Sequence, residues 1–174
     1  NSMGVYNNTG NGLVSLTRMA DSTAPNGSGY VIKIQTTGTA TPGNGGFLFG
    51  TTCSNRKVFV TRIIAKIPVG HNIQFATNSI GTGGSSRWLT ANAGTGDWCE
   101  YIYKVVCGTA NFSSTHYYYL DGTQGTTDAP VVWYVAYATV FDLTTAEKYT
   151  TTIDANGGYT GTVRANQAIV GSAW

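Results

Sequence analysis

Residues 57–67 read KVFVTRIIAKI, and this run decides the fold. Its odd positions carry Phe59, Ile63, Ala65 and Ile67, while the even set includes Arg62 and Lys66. A pleated strand sends successive side chains to opposite faces, so a period of two predicts a strand with its odd face on a core and its even face toward water. A helix would need apolar residues three and four apart, and no run of comparable strength has that period.

The same reading extends in both directions. In 97–107 (DWCEYIYKVVC) the odd set Cys99, Tyr101, Tyr103, Val105 and Cys107 is the more apolar, and Trp98, Glu100 and Lys104 fall on the other side. The run 131–142 (VVWYVAYATVFD) is apolar on both sides, which predicts a central strand covered above and below. Further strands are expected over 12–19, 29–36, 46–52, 72–78 and 115–120. Between them lie APNGSG, TPGNGG, GTGGSS and AGTG, rich in residues that tolerate tight turns or positive φ. Eight strands so spaced predict an all-β protein, an antiparallel β-sandwich of jelly-roll type over residues 12–144. Residues 1–11 read as a lead-in. Residues 145–174 have too few large apolar side chains for a core of their own and read as an extended tail or linker.

Composition narrows the function. Charged residues make up 10% of the 174, against 23 Gly and 11 Tyr, which leaves a surface of mostly uncharged polar groups. A net charge of +2 with no Lys/Arg cluster argues against nucleic acid as a partner. No stretch approaches the ~18 apolar residues of a membrane span, so no membrane insertion is expected. Cys99 and Cys107 share a strand roughly 26 Å apart at ~3.3 Å per residue and cannot bond each other. Cys53 can bridge one of them only if the fold brings it near; otherwise the three act as small buried hydrophobes. Two histidines, His71 and His116, and eight scattered carboxylates form no catalytic motif. Asp97 and Glu100, three apart on a strand, face opposite ways and cannot act as a glycosidase pair. The expectation is a protein that is not an enzyme.

A sugar site needs flat aromatic faces for the C–H surface of a pyranose and planar polar groups for its hydroxyls. Trp88, in the polar loop RWLTANAG, and Trp98, on the face of Glu100 and Lys104, are the candidate rings. The alternative for each is a ring that caps the end of the sandwich. If the even faces of 57–67 and 97–107 share one sheet, Arg62, Lys66, Glu100 and Lys104 line one surface, with Gln74 and Asn78 nearby as a polar floor. The alternative there is a solvated face with surface ion pairs. Tyr117, Tyr118 and Tyr119 must point both ways, so one ring at least is core, and one is expected at an interface.

The series APNGSGYVIKIQTTG, GFLFG, VFVTRIIAKIPVG, NSIGTGG, RWLTANAGTGDWCEYIYKVVCG, HYYYLDG and PVVWYVAYATVFDLT resembles the carbohydrate-binding-module-like, galactose-binding-type jelly rolls of tail-fibre and appendage proteins of gut bacteriophages. The likeness spans about residues 12–144. The tail, IDANGGYTGTVRANQAIVGSAW, looks like repeating shaft segments in which three chains wind together. The resemblance implies a non-catalytic receptor-binding module on the virion, extracellular, that recognises a host surface polysaccharide, with a homotrimer formed through 145–174. A secreted bacterial accessory module is the alternative setting, and a structural or oligomerisation domain without sugar binding is the alternative function. The family also implies a structural calcium ion; Asp142 in VFDLT best matches its ligand, although the N-terminal acidic partner is missing from NNTGNG, and Asp142 equally suits a turn cap.

Overall fold

The computed structural model describes residues 3–6, 13–37, 45–54, 56–109, 112–122, 125–126, 128–144, 152–153 and 159–160. Ten strands form two sheets: β1 (Gly4–Tyr6), β2 (Leu13–Ala20), β3 (Tyr30–Thr37), β4 (Gly46–Cys53), β5 (Val58–Lys66), β6 (Ile73–Thr77), β7 (Ser85–Trp88), β8 (Trp98–Val106), β9 (Phe112–Leu120) and β10 (Val131–Asp142). The four-stranded sheet runs β1-β4-β9-β6 and the six-stranded sheet β2-β3-β10-β5-β8-β7, with every pairing in them antiparallel. Successive strands from β3 to β6 alternate between the sheets, and β8 to β10 alternate again, which is the jelly-roll pattern. The fold is the β-sandwich that the alternation of the sequence predicts.

All eight expected strands are present, within a few residues at their ends, and two short ones are added. Gly4–Tyr6, within the expected lead-in, pairs with Gly46–Leu48 as an edge strand. Ser85–Trp88, read from sequence as loop, pairs with Tyr103–Val106 at the opposite edge of the other sheet. Strands of three and four residues are too short to show a period. In the tail, β11 (Thr152–Ile153) and β12 (Tyr159–Thr160) pair antiparallel with each other. The expected threefold shaft otherwise lies outside the described residues.

The core is where the two inner faces meet. Phe47, Phe49 and Tyr118 from one sheet pack against Ile34, Ile63, Tyr101 and Trp133 from the other. Phe47 stacks on Tyr118 with ring centroids 5.2 Å apart, and Trp133 closes on Phe47 at 5.8 Å. The Tyr118 hydroxyl donates to Thr61 Oγ1 across the sandwich, so this ring brings its own polar tip a partner from the facing sheet. Strand β10 lies between β3 and β5, as a central strand should. It is not covered on both sides, however. A register shift between Val135 and Tyr137 reverses its alternation, so Trp133 and Val135 face the core before it and Ala138 and Val140 pack there after it. Tyr134 and Tyr137 are thereby left half-exposed outside, and Phe141 is exposed.

Cys53 and Cys107 are buried, Cys99 is half-buried, and all three are free. The fold does bring Cys53 to Cys107: burial first, and then the hydrogen-bonded Cys53 thiol, pushes the Cys107 thiol up to about 12.

Candidate functional site

The structure divides the residues grouped from sequence between two faces. Arg62 on β5 and Glu100 on β8 do share the outer face of the six-stranded sheet, where the Arg62 guanidinium pairs with Glu100 and lies 5.3 Å from the Tyr137 ring. Trp98 belongs to the same face. It ends a row of cross-strand partners that runs Lys33, Tyr134, Lys66, Trp98. Its indole Nε1 is buried and has no hydrogen-bond partner among the described residues.

Gln74 and Asn78 are elsewhere. Strand β6 pairs with β9 in the other sheet, so Gln74 and Asn78 stand on the far side of the sandwich from Arg62 and Glu100. Trp88 is in neither group: as the last residue of β7 it points inward and meets Tyr103 edge-on at 4.7 Å, packed against the core. The grouping of Gln74 and Asn78 with Arg62 and Glu100 is thus corrected to two separate surfaces, and Trp88 takes its alternative place as a ring packed on the edge of the core.

On the outer face of the four-stranded sheet, three tyrosines form a cluster. Tyr117 and Tyr119 point the same way because they are two apart on β9, and Tyr118 between them fills the core. Both rings are therefore on one surface, whereas the sequence predicts one ring at an interface. Tyr6, from the edge strand, meets them at centroid distances of 4.5 and 5.9 Å. The approach depends on Gly46, which pairs with Tyr6 on one side and Tyr119 on the other.

Planar polar groups border these rings. The Tyr117 hydroxyl donates to Asn78 Oδ1 at 2.9 Å, and Gln74, the cross-strand partner of Tyr119, donates to Asp121 Oδ2 at 3.4 Å. Asp121 also accepts from the Asn72 amide at 2.6 Å and from Asn72 Nδ2 at 2.7 Å. Partial burial pushes this carboxyl upward, but the Asn72 and Gln74 hydrogen bonds outweigh it and hold the group below the usual carboxylate range. Burial, followed by the neighbouring tyrosines, raises Tyr6, so its hydroxyl stays a donor at neutral pH. Strands β1, β4, β6 and β9 contain no Lys, Arg, Asp or Glu. The strands of this face carry aromatic rings and no charged residue, and amides together with the Asp121 carboxylate edge it.

A cavity of about 460 Å³ opens between Thr51, Ser114, Phe59, Lys57 and Asp142 at one end of the sandwich. Asp142 accepts from the Thr144 amide at 3.0 Å and from its hydroxyl, and lies 3.4 Å from Lys57 Nζ. Burial pushes its carboxyl up, while Thr144 and Lys57 more than reverse this. These contacts are those of a turn cap with an ion pair, and no group of three His, Cys, Asp or Glu side chains suited to a metal occurs among the described residues. Behind the cavity wall His116 Nε2 sits 3.2 Å from Thr51 Oγ1, its Nδ1 without a partner. Burial lowers this imidazole to about 4, so it is neutral at pH 7.

Neither a protein-family model nor a curated protein matches the chain.

Proposed function

We propose that this chain is a non-catalytic carbohydrate-binding module, a receptor-binding domain of a phage virion appendage that engages a host surface glycan through Tyr6, Tyr117 and Tyr119. The observation that carries the reading is the clustering of three outward rings beside Gln74 and Asn78 on strands that contain no charged residue, with the Asp121 carboxylate at their edge. Ring faces suit the C–H side of a pyranose, and amide groups suit its hydroxyls. The virion setting rests on the sequence resemblance.

A glycan array with the full chain, followed by calorimetry on the hits, tests this. Tyr119→Ala and Gln74→Ala are expected to weaken binding by about 1–3 kcal/mol with little change in melting temperature. Trp88→Ala is expected to do the reverse and lower stability, because its ring packs on Tyr103. An array with no hit, together with a stable oligomer in solution, would favour the structural domain without sugar binding.

A further inference from the structure

Cys53 and Cys107 come from different sheets and finish side by side. Cys53 is the last residue of β4, in the four-stranded sheet, and Cys107 follows the last residue of β8, in the six-stranded one. Short backbone links bring them together. The Lys57 amide donates to the Ser54 carbonyl at 2.7 Å, so the chain doubles back as soon as it leaves β4, with Arg56 in the left-handed region at φ 62°. The Cys107 amide then donates to the Lys57 carbonyl at 2.7 Å, and the Arg56 amide to the Gly108 carbonyl at 3.0 Å. Both cysteines are fully buried in one core cluster. The Cys107 sulfur is in hydrogen-bond contact with the Cys53 thiol and with the Ser54 amide.

Two sulfurs in contact, each held by backbone hydrogen bonds of its own neighbours, have the convergence that a disulfide requires. Cys99 does not compete for either. It stands at the other end of β8, roughly 26 Å from Cys107 at ~3.3 Å per residue, and its Sγ lies 3.1 Å from Thr95 Oγ1. Once the sandwich has closed, burial and the Cys53 thiol push the Cys107 thiol up to about 12, more than the Ser54 amide and Lys57 pull it down. The thiolate is the reactive form, so exchange is slow in the folded chain, whereas an exposed cysteine ionises near ~8.5. A bridge at this position forms while the chain folds and is then shut away from exchange.

We propose that Cys53 and Cys107 are joined by a disulfide when the chain folds in an oxidising medium, and that this bond is a covalent tie between the two sheets of the sandwich. The oxidant is a disulfide compound such as glutathione disulfide. The thiolate of one cysteine attacks it, forms a mixed disulfide and displaces one thiol; the second cysteine attacks the protein sulfur of that mixed disulfide and displaces the other. The two cysteines are oxidised, the oxidant is reduced to two thiols, and the two protons of the cysteines end on those thiols. The loop so closed runs from residue 53 to residue 107 and contains β5, β6, β7 and β8, so the tie restrains the unfolded chain across strands of both sheets. The proposal is independent of the glycan reading, since neither cysteine reaches the tyrosine face.

The test is refolding of the reduced full chain from urea in a glutathione redox buffer, followed by alkylation of free thiols, trypsin digestion and mass spectrometry. Trypsin separates the three cysteines: Cys53 falls in peptide 34–56, Cys99 in 88–104 and Cys107 in 105–148. The expected product is 34–56 joined to 105–148 with Cys99 alkylated, and before alkylation an intact mass about 2 Da below that of the reduced chain, the loss of two hydrogens. The bridged chain is expected to melt roughly 5–10 °C above the same chain refolded without oxidant. Cys99→Ser should keep both the bridge and the shift. Three alkylated cysteines after refolding, a bridge that includes Cys99, or bonds between chains overturn the proposal. So does a bridged chain that melts at or below the reduced one, because the bond then strains the native sandwich instead of fitting it.

Discussion

His116 shows how a single residue couples the core to pH. Its ring is fully buried, with Phe59 and Phe75 edge-on at 5.8 and 5.4 Å, and Thr51 supplies its hydrogen bond. Burial disfavours the imidazolium, so the folded state protonates only near pH 4, whereas the unfolded chain takes up its proton near 6.5. Between those values the unfolded state binds more protons, and stability therefore rises with pH. Full stability is expected above about pH 6.5, with roughly 3 kcal/mol lost as pH falls to about 4. Asp121 and Asp142, held below the usual carboxylate range, add a further loss as pH falls through their lowered values. Urea denaturation at a series of pH values checks this, and His116→Leu should flatten the segment between pH 6.5 and 4. The sequence places His116 at the start of a strand but says nothing of its burial, which comes from Phe59 on one sheet and Phe75 on the other.

At the scale of the element, the pairing of β4 and β9 sets both the core and the tyrosine face. Gly46 is the point of closest approach: a Cβ added there would lie 1.9 Å from the Tyr118 carbonyl oxygen, a backbone atom that cannot turn away. Gly46→Ala must part the strands or shift the register, and an expected cost of roughly 2–4 kcal/mol follows from strain of that kind in a buried ladder. Because Gly46 pairs with Tyr6 and Tyr119, the same change should also weaken glycan binding. Chemical denaturation and calorimetry on this variant measure the two effects. Strand β10 teaches a related lesson. Its two apolar sides suggest burial on both, yet the register shift near Ala136 moves the inward set from odd to even positions. An apolar run that changes phase looks the same, residue by residue, as one buried on two faces.

For the whole molecule, the ten strands of the two sheets lie between Gly4 and Asp142, and the chain is fastened just beyond them. The Leu143 amide donates to the Val58 carbonyl at 2.8 Å, and the Val58 amide donates to Thr144 Oγ1 at 3.1 Å. Residues 1–144 are therefore expected to fold alone with a single cooperative transition and a melting temperature close to that of the full chain. Removing Leu143 and Thr144 as well should lower it, since Val58 then loses both partners. Thermal unfolding of the two truncations checks this. Light scattering on the full chain and on residues 1–144 tests the proposed homotrimer: a trimer that becomes a monomer on truncation supports it, and monomers in both overturn it.

What the sequence determined by itself was the alternation. The period of two in 57–67 and 97–107 states which side chains are inside, because a pleat allows only two directions, and the structure keeps those inner faces: Phe59, Ile63, Ala65, Ile67, Tyr101, Tyr103, Val105 and Cys107 are buried and Cys99 is half-buried. From that came the strands, the sandwich and the outward placing of Arg62, Glu100 and Lys104. What only the tertiary structure decided was which faces are neighbours. Alternation says that Gln74 and Arg62 look outward, but not that β6 joins one sheet and β5 the other; that choice depends on long-range pairing, which no local pattern encodes. Tyr6 reaches Tyr117 and Tyr119, and Arg87 meets Lys104, only because edge strands too short to carry a period are recruited by sheets already formed. The proposed glycan-binding surface is made in this way, from residues far apart in the chain and brought together by strand order.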